Sequence, residues 1–414
     1  MMSNAVVTIS APASKSSSLR ALISCLLAEN SDNYTIHNIS LCDDVMIGIE
    51  LICDIKGFSY TFEQDRLILR KAKNKIRDRS AMTLNVGESG FLARVFVSLA
   101  TLYSDKFRLV GRGTLIHRDL GLTTFLDKIG LITSDAKLPT TIQGQIKPGK
   151  FYIAEENSSQ FLSGLLFTLP LLAEDSLVII GKMVSKPYID LTLSYLGKCG
   201  INFQRNNKTQ IVIKGNQRYQ VKELRPESDW SSLSYLICLG VISRGLIISN
   251  IIDNPLLPDR VILNLLDDIG GKCTFLDSQT LKVEKSEIAG FNFDLTSNPD
   301  LAPVLVALAI CATNPSKLSG CYRLRNKESD RLSSIIEMLK VLKVIYFYSD
   351  DCLTIYPSKL TGGIIKSYDD HRIAMTALIL NAISEEKISI DNYQCINKSY
   401  PDFLKDLKRL GVEI

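Results

Sequence analysis

Six stretches of the chain are almost wholly apolar in their bodies and open on small polar or acidic residues. They are SKSSSLRALISCLLA (14–28), GESGFLARVFVSLAT (87–101), SSQFLSGLLFTLPLLA (158–173), SDWSSLSYLICLGVIS (228–243), NPDLAPVLVALAICAT (298–313) and DDHRIAMTALILNAIS (369–384). Apolar bodies behind polar starts predict helices buried on every side. A second series runs in phase with the first: ICDIKGFSYTF (52–62), LDKIGLIT (126–133), LGKCGINF (196–203), LLDDIGGKCTF (265–275), MLKVLKVIYF (338–347) and LKRLGVEI (407–414). Each reads as a helix closed by glycine at its C-cap and followed by a β-strand, and the fifth has lost its glycine. The pattern returns about every 70 residues, a period longer than that of solenoid repeats. Six copies of one mixed α/β unit are therefore expected.

The starts of the apolar helices carry a further signal. Serine, aspartate and asparagine at a first turn satisfy the orphan N–H groups there, so capping accounts for most of them. Capping does not account for Lys15, Arg20, Arg94, Gln160 and Arg372, which fall in or beside those first turns. A cation at a helix N-terminus opposes the dipole unless an anion sits between them. Several such ends point to one shared, strongly anionic small ligand.

Composition narrows the field. At 414 residues, 46% hydrophobic and 22% charged, the chain is long enough for two or three soluble domains. A net charge of +4 is too small to argue for nucleic acid, and the basic run RKAKNKIRDR (70–79) reads as a solvated turn. Ten cysteines lie scattered without a CxxC pair, as in a chain with reduced thiols, and MMSNAVVTIS lacks the plan of a signal peptide. The apolar stretch LAPVLVALAICA (301–312) is too short to span a bilayer. A cytoplasmic protein without membrane or nucleic-acid partner is expected. GESG (87–90) is followed by Phe91 where a nucleophile elbow needs glycine, GRGTLI (111–116) lacks the third glycine of a dinucleotide fingerprint, and no P-loop is present. Three dispersed histidines give no metal-site spacing. Neither metal nor cofactor is expected.

Six motifs, in order and at the repeat spacing, then combine: PASKSSSLRA (12–21), NSSQFLSGLL (157–166), VSKPYID (184–190), NKESDRL (326–332), DDHRIAM (369–375) and NKSYPDF (397–403). Together they resemble the 3-phosphoshikimate 1-carboxyvinyltransferases, or EPSP synthases, over nearly the full length. The resemblance implies an α/β fold: a two-domain inverted α/β barrel built from six βαβαββ-type repeat units, three per domain. It places 1–13 with 228–414 in one domain and 14–227 in the other, with the active site in the cleft between them. It also implies the reaction, on the shikimate pathway to aromatic amino acids. The enolpyruvyl group of phosphoenolpyruvate passes to the 5-hydroxyl of shikimate 3-phosphate, and phosphate is released. Two phosphates and two carboxylates would supply the anion that the helix starts demand. A monomer is expected.

Site residues follow from the same resemblance. Shikimate 3-phosphate would be held by Lys15, Ser16, Arg20, Ser158, Ser159, Gln160, Ser185, Tyr188, Asp300, Arg323 and Lys327. Phosphoenolpyruvate would be held by Lys15, Gly90, Arg94, Arg118, Gln160, Arg331, Arg372 and Lys398. Hydroxyls and planar guanidinium forks suit phosphate and carboxylate. Asp300 and Glu328 would move protons, with Lys15 steadying charge, although Asp300 also suits an N-cap and Glu328 an ion pair with Arg331. Three departures stand out. Glu88-Ser89-Gly90-Phe91 replaces the usual Asn-Ala-Gly-Thr start, Arg323 replaces a substrate-binding asparagine, and Asp119 follows Arg118 where proline is usual. The sister transferases acting on UDP-N-acetylglucosamine are a rival. The loop VGRGTLIHRDLG (110–121) lacks their reactive cysteine, and Lys15-Ser16 replaces their Lys-Asn pair. A non-catalytic nucleic-acid binder built from the same units is the rival of another class.

Overall fold

The computed structural model describes residues 6–72, 82–153, 158–181, 186–207 and 209–414. Ser185 and most of the basic run 70–79 lie outside the described residues. The chain divides into two compact units. Unit 1 joins Met1–Ser14 to Glu227–Ile414, and unit 2 is Lys15–Pro226. The two strands of chain that bound unit 1 are tied to each other, with Ser14 N donating to Glu227 O and Asp229 N to Pro12 O, each at 2.8 Å.

Among the described residues five four-stranded sheets repeat one pairing scheme. A central strand pairs in parallel with one edge strand and antiparallel with a second strand, which itself pairs antiparallel with the other edge. In unit 2 the central strands are Asn33–His37, Lys106–Val110 and Ser176–Ile180, and in unit 1 they are Leu246–Ser249 and Ser316–Ser319. Two of the parallel partners come from far along the chain. Thr8–Ser10 pairs with Leu246–Ser249 (Ile9 opposite Ile248), and Glu223–Leu224 pairs with Asn33–His37 (Leu224 opposite Ile36). Each unit is thus closed by a strand contributed by a remote segment. The sixth repeat departs from the scheme: Gly363–Ile365 and Ile388–Ile390 form a parallel pair alone. The strand expected in LKRLGVEI does not form among the described residues: the helix Phe403–Arg409 is followed by Gly411 (φ 69°), and Val412–Ile414 take no regular pairing there.

The six apolar helices are Lys15–Leu27, Gly90–Leu99 and Ser159–Thr168 in unit 2, with Trp230–Leu239, Ala302–Cys311 and His371–Asn381 in unit 1. Their bodies are buried on all sides and form the cores on which the sheets pack. The second helix of most repeats ends as the sequence requires, with Gly57, Gly130, Gly200 and Gly270 at φ between 74° and 91°. In the fifth repeat Lys343 takes that conformation (φ 54°) without the advantage of a missing Cβ.

Two glycines set the spacing on which the site depends. A Cβ on Gly164 would lie 2.5 Å from Val95 O, so only glycine lets the helices Gly90–Leu99 and Ser159–Thr168 approach at that point. A Cβ on Gly48 would meet Leu19 Cδ2 at 2.9 Å, so the helices Asp43–Lys56 and Lys15–Leu27 also pack closely. The first approach brings Gln160 to Arg94, and the second brings Asp44 to Lys15.

Candidate active site

In unit 2 the cations at the helix starts are held mainly by neutral oxygens. Arg20 is 1% exposed. Its Nε donates to Thr192 Oγ1 (3.0 Å), Nη1 to Ser16 O (2.9 Å), and Nη2 to Tyr188 O (3.1 Å) and Ser163 Oγ (3.4 Å). Three helices therefore converge on one guanidinium. The ring of Phe91 lies 5.0 Å from its carbon, a cation–π contact. Arg94, also buried, donates from Nε to Leu120 O (3.1 Å) and from Nη1 to Gln160 Oε1 (2.8 Å) and Gly90 O (3.4 Å). A Cβ on Gly90 would sit 3.2 Å from Arg94 Nη1 and 3.6 Å from Arg118 Nη1. Two guanidinium groups thus flank Gly90 at the first turn of its helix, and the buried Nε of Arg118 has no hydrogen-bond partner among the described residues. Like charges at this range repel, and an anion between them would turn that repulsion into attraction.

Other unit 2 residues complete this frame. Lys15 Nζ is 3.2 Å from Asp44 Oδ2, and Asp44 is buried in the first turn of the helix Asp43–Lys56. Ser158 caps its helix, its Oγ accepting from Gln160 N at 3.3 Å, while the neighbouring Ser159 is buried. The departures from the family pattern find places. Phe91 faces Arg20, Glu88 lies across Gly113, where a Cβ would come 2.1 Å from Oε1, and Asp119 Oδ1 accepts from Gly121 N at 2.8 Å.

Unit 1 gathers carboxylates around its cations. Arg331 is fully buried and donates to three of them: Nη1 to Asp300 Oδ1 (2.8 Å), Nη2 to Glu328 Oε2 (2.5 Å), and Nε to Asp370 Oδ2 (2.9 Å). Asp300 also meets Lys327 Nζ (3.2 Å) and Arg372 Nη2 (3.5 Å). Asp300 is no helix cap. It sits in the 3-10 turn Pro299–Leu301, its carboxylate directed into the cations. Asp370 caps the helix His371–Asn381, its Oδ1 accepting from Arg372 N at 3.0 Å. Burial would raise the Asp300 carboxyl, but Arg372, Lys327 and Arg331 outweigh it and hold that carboxyl well below the usual range. Burial lowers Lys327 from the ordinary lysine value, against the pull of Asp300. Arg331 is pushed up, because Asp370, Glu328 and Asp300 overcome the cost of its burial.

Lys398 is buried at the end of the 3-10 turn Gln394–Lys398, which packs on the helix His371–Asn381. Arg323 lies in the turn Cys321–Leu324, and its charge helps to lower Lys327. Asp44, Ser163, Thr192, Ser231, Asp259 and Asp370 hold the named residues but were not picked out from the sequence. Asp370 was the most findable, in DDHRIAM beside Arg372. An Asp at a helix start reads as a cap, and here it is a cap and an ion-pair partner together.

Comparison with known proteins agrees over nearly the whole chain. The family model described as EPSP synthase (3-phosphoshikimate 1-carboxyvinyltransferase) matches residues 3–407. The chain is similar to the 3-phosphoshikimate 1-carboxyvinyltransferase of Clostridium kluyveri, 32% identical over 409 residues, covering 97% of this chain and 94% of that protein. It is likewise similar to the protein of that name from Clostridium botulinum, 33% identical over 412 residues with the same coverage. The fold is similar to that of EPSP synthase from Acinetobacter baumannii (TM-score 0.79, 19% identity, 98% and 95% of the two chains). It is also similar to that of the enolpyruvyl transferase NikO from Streptomyces tendae (TM-score 0.75, 14% identity, 98% and 95%).

Proposed function

The chain belongs to the EPSP synthase family, and on that premise we propose that it transfers the enolpyruvyl group of phosphoenolpyruvate to the 5-hydroxyl of shikimate 3-phosphate. Addition of the hydroxyl oxygen to the central carbon of phosphoenolpyruvate needs a proton delivered to the methylene and one removed from the hydroxyl. Loss of phosphate and of a methyl proton then restores the double bond. Positioned side chains can move those protons. Glu328 is assigned the role of acid that delivers the methylene proton and then, as a carboxylate, of base that takes back a methyl proton, while Asp300 takes the proton of the hydroxyl. The observation that carries this reading is the buried Arg331, which holds the carboxylates of Asp300 at 2.8 Å and Glu328 at 2.5 Å on one rigid fork.

Electrostatics supports the assignment to Asp300. With its pKa held low by Arg372, Lys327 and Arg331, the carboxyl is ionised and ready to accept a proton. A carboxylate so well paired is a weak base, however. Anionic substrates drawing on the same cations would loosen that hold and make Asp300 more basic when a hydroxyl is in place. In this reading Lys15, Gly90, Arg94, Arg118, Gln160, Arg331, Arg372 and Lys398 receive phosphoenolpyruvate. Lys15, Ser16, Arg20, Ser158, Ser159, Gln160, Ser185, Tyr188, Asp300, Arg323 and Lys327 receive shikimate 3-phosphate. Among the described residues no helix is long and apolar enough to cross a membrane.

The test is phosphate release from phosphoenolpyruvate by the purified chain. Release is expected only when shikimate 3-phosphate is present, and unchanged by a chelator. Release with UDP-N-acetylglucosamine in its place, or dependence on a divalent cation, overturns the proposal.

A further inference from the structure

Behind Arg372 lies a carboxylate that the reaction as written does not use. Asp259, 3% exposed, sits in the 3-10 turn Pro258–Val261. It accepts from Asn298 Nδ2 at 3.2 Å, and Arg372, Asn298 and the Ser231 hydroxyl all favour its ionised form. The Ser231 Oγ is 2.5 Å from Arg372 Nη1. The polarity of this chain of bonds is forced. A guanidinium only donates, so Ser231 accepts from Arg372, and its own proton is left to turn toward the Asp259 carboxylate, which only accepts when ionised. The second branch reaches the same place. Asn298 stands two residues before Asp300, and Arg372 Nη1 also donates to Asp300 O at 3.3 Å. One buried carboxylate therefore fixes both the hydroxyl that orients Arg372 and the turn that carries Asp300.

We propose that Asp259 is a positioning residue, setting the direction of the Arg372 guanidinium through Ser231 and the place of Asp300 through Asn298. The inference rests on the role given above to Arg372 in binding phosphoenolpyruvate. Loss of the Asp259 charge frees the Ser231 hydroxyl to rotate, and Arg372 then loses a fixed acceptor rather than its own charge. The effect should fall on phosphoenolpyruvate more than on shikimate 3-phosphate.

A pH dependence goes with the geometry. Burial, joined by the nearby Asp300, pushes the Asp259 carboxyl up to about 6, against Arg372, Asn298 and Ser231. The charged groups facing it are Arg372 from the helix His371–Asn381 and Asp300 from the turn before Ala302–Cys311. On its own turn Arg260 is engaged by Asp253 at 2.9 Å. Asp300 is held well below the usual carboxylate range, so it does not titrate near 6. The sign follows from the raised value. Asp259 favours the fold when protonated, and that contribution is lost as pH rises through about 6. Its ionised form at pH 8 is thus kept against stability, as expected of a group serving a site rather than a core.

The experiment is steady-state phosphate release by Asp259→Asn and Ser231→Ala with each substrate varied, together with melting temperatures at pH 8. The wild-type control tests the parent reading: if it releases no phosphate, that reading fails and not this one. KM for phosphoenolpyruvate should rise about tenfold in either variant, the loss of one hydrogen bond to a charged group. KM for shikimate 3-phosphate should change little, and the double variant should be no worse than the worse single. The wild-type kcat/KM for phosphoenolpyruvate should fall below about pH 6, and this limb should flatten in Asp259→Asn. Unchanged KM values in both variants overturn the proposal. So do equal rises for the two substrates with a lowered melting temperature, or additive effects in the double variant. If Asp259→Asn does not fold, Ser231→Ala alone decides, by the same split between the two KM values.

Discussion

The two units handle positive charge in opposite ways. In unit 2, Arg20 and Arg94 are oriented by carbonyl, hydroxyl and amide oxygens and by aromatic faces. In unit 1, Arg331 and Arg372 are oriented by Asp300, Glu328 and Asp370. Neutral oxygens aim a guanidinium without cancelling its charge, so the unit 2 group stays attractive to an anion. Carboxylates cancel the charge and have their own acidity set by it. One arrangement leaves the charge to an incoming anion, and the other divides it between an anion and the carboxylates whose acidity it sets. Both place an arginine in the first turns of a helix, and they differ in what tertiary packing sets against it.

The strongest test of the contrast removes the unit 1 hub. Arg331→Ala strands the buried carboxylates of Asp370, Asp300 and Glu328 and should cost about 3–5 kcal/mol in urea unfolding. Because the Asp300 pKa is depressed in the fold, its stabilisation is present above the unfolded value near 4 and is lost as pH falls. That acid sensitivity should shrink in the variant. Loss near 1 kcal/mol, with the acid limb intact, would mean the cluster is not the hub of unit 1.

Glu328→Gln keeps the size of the side chain but cannot exchange a proton. Here kcat should fall roughly 10²-fold or more, with both KM values largely kept. Near-normal turnover in a folded variant would remove Glu328 from the chemistry. Arg20→Ala in unit 2 should act on binding instead, weakening shikimate 3-phosphate by about 1.5–3 kcal/mol. Since Arg20 also ties three helices together, a urea midpoint must accompany the binding isotherm. A shifted midpoint with unchanged affinity would recast Arg20 as purely structural.

Gly90→Ala should have the smallest effect. The added Cβ would come 3.2 Å from Arg94 Nη1, the far end of a flexible side chain, so the guanidinium can yield by a few tenths of an ångström. Affinity for phosphoenolpyruvate should drop several-fold, that for shikimate 3-phosphate less, and stability should hold, because alanine is the better helix former. Equal losses for both substrates would indicate a folding defect rather than a crowded anion site.

Much of this was legible along the chain. Apolar helix bodies, glycine C-caps and polar helix starts mark the repeats locally, because burial on all sides and positive φ are demands a single segment makes on its own residues. Lys343 shows the limit of that reading, taking a left-handed C-cap without glycine. Val412–Ile414 show another, since a strand needs a partner that the sixth repeat does not supply. The pairing of Thr8–Ser10 with Leu246–Ser249 has no local mark, because a parallel edge can be supplied from any distance. The sequence by itself determined which residue types stand at the helix starts, and so that the chain would gather cations for an anion. Tertiary structure decided which oxygens those cations meet. Gly164 and Gly48 admit close helix approaches that bring Gln160 to Arg94 and Asp44 to Lys15, and the fold sets Asp370 and Asp300 against Arg331 from segments 31 residues or more away. Charge type belongs to the residue, but its compensation depends on neighbours that only the packed chain brings within a few ångströms.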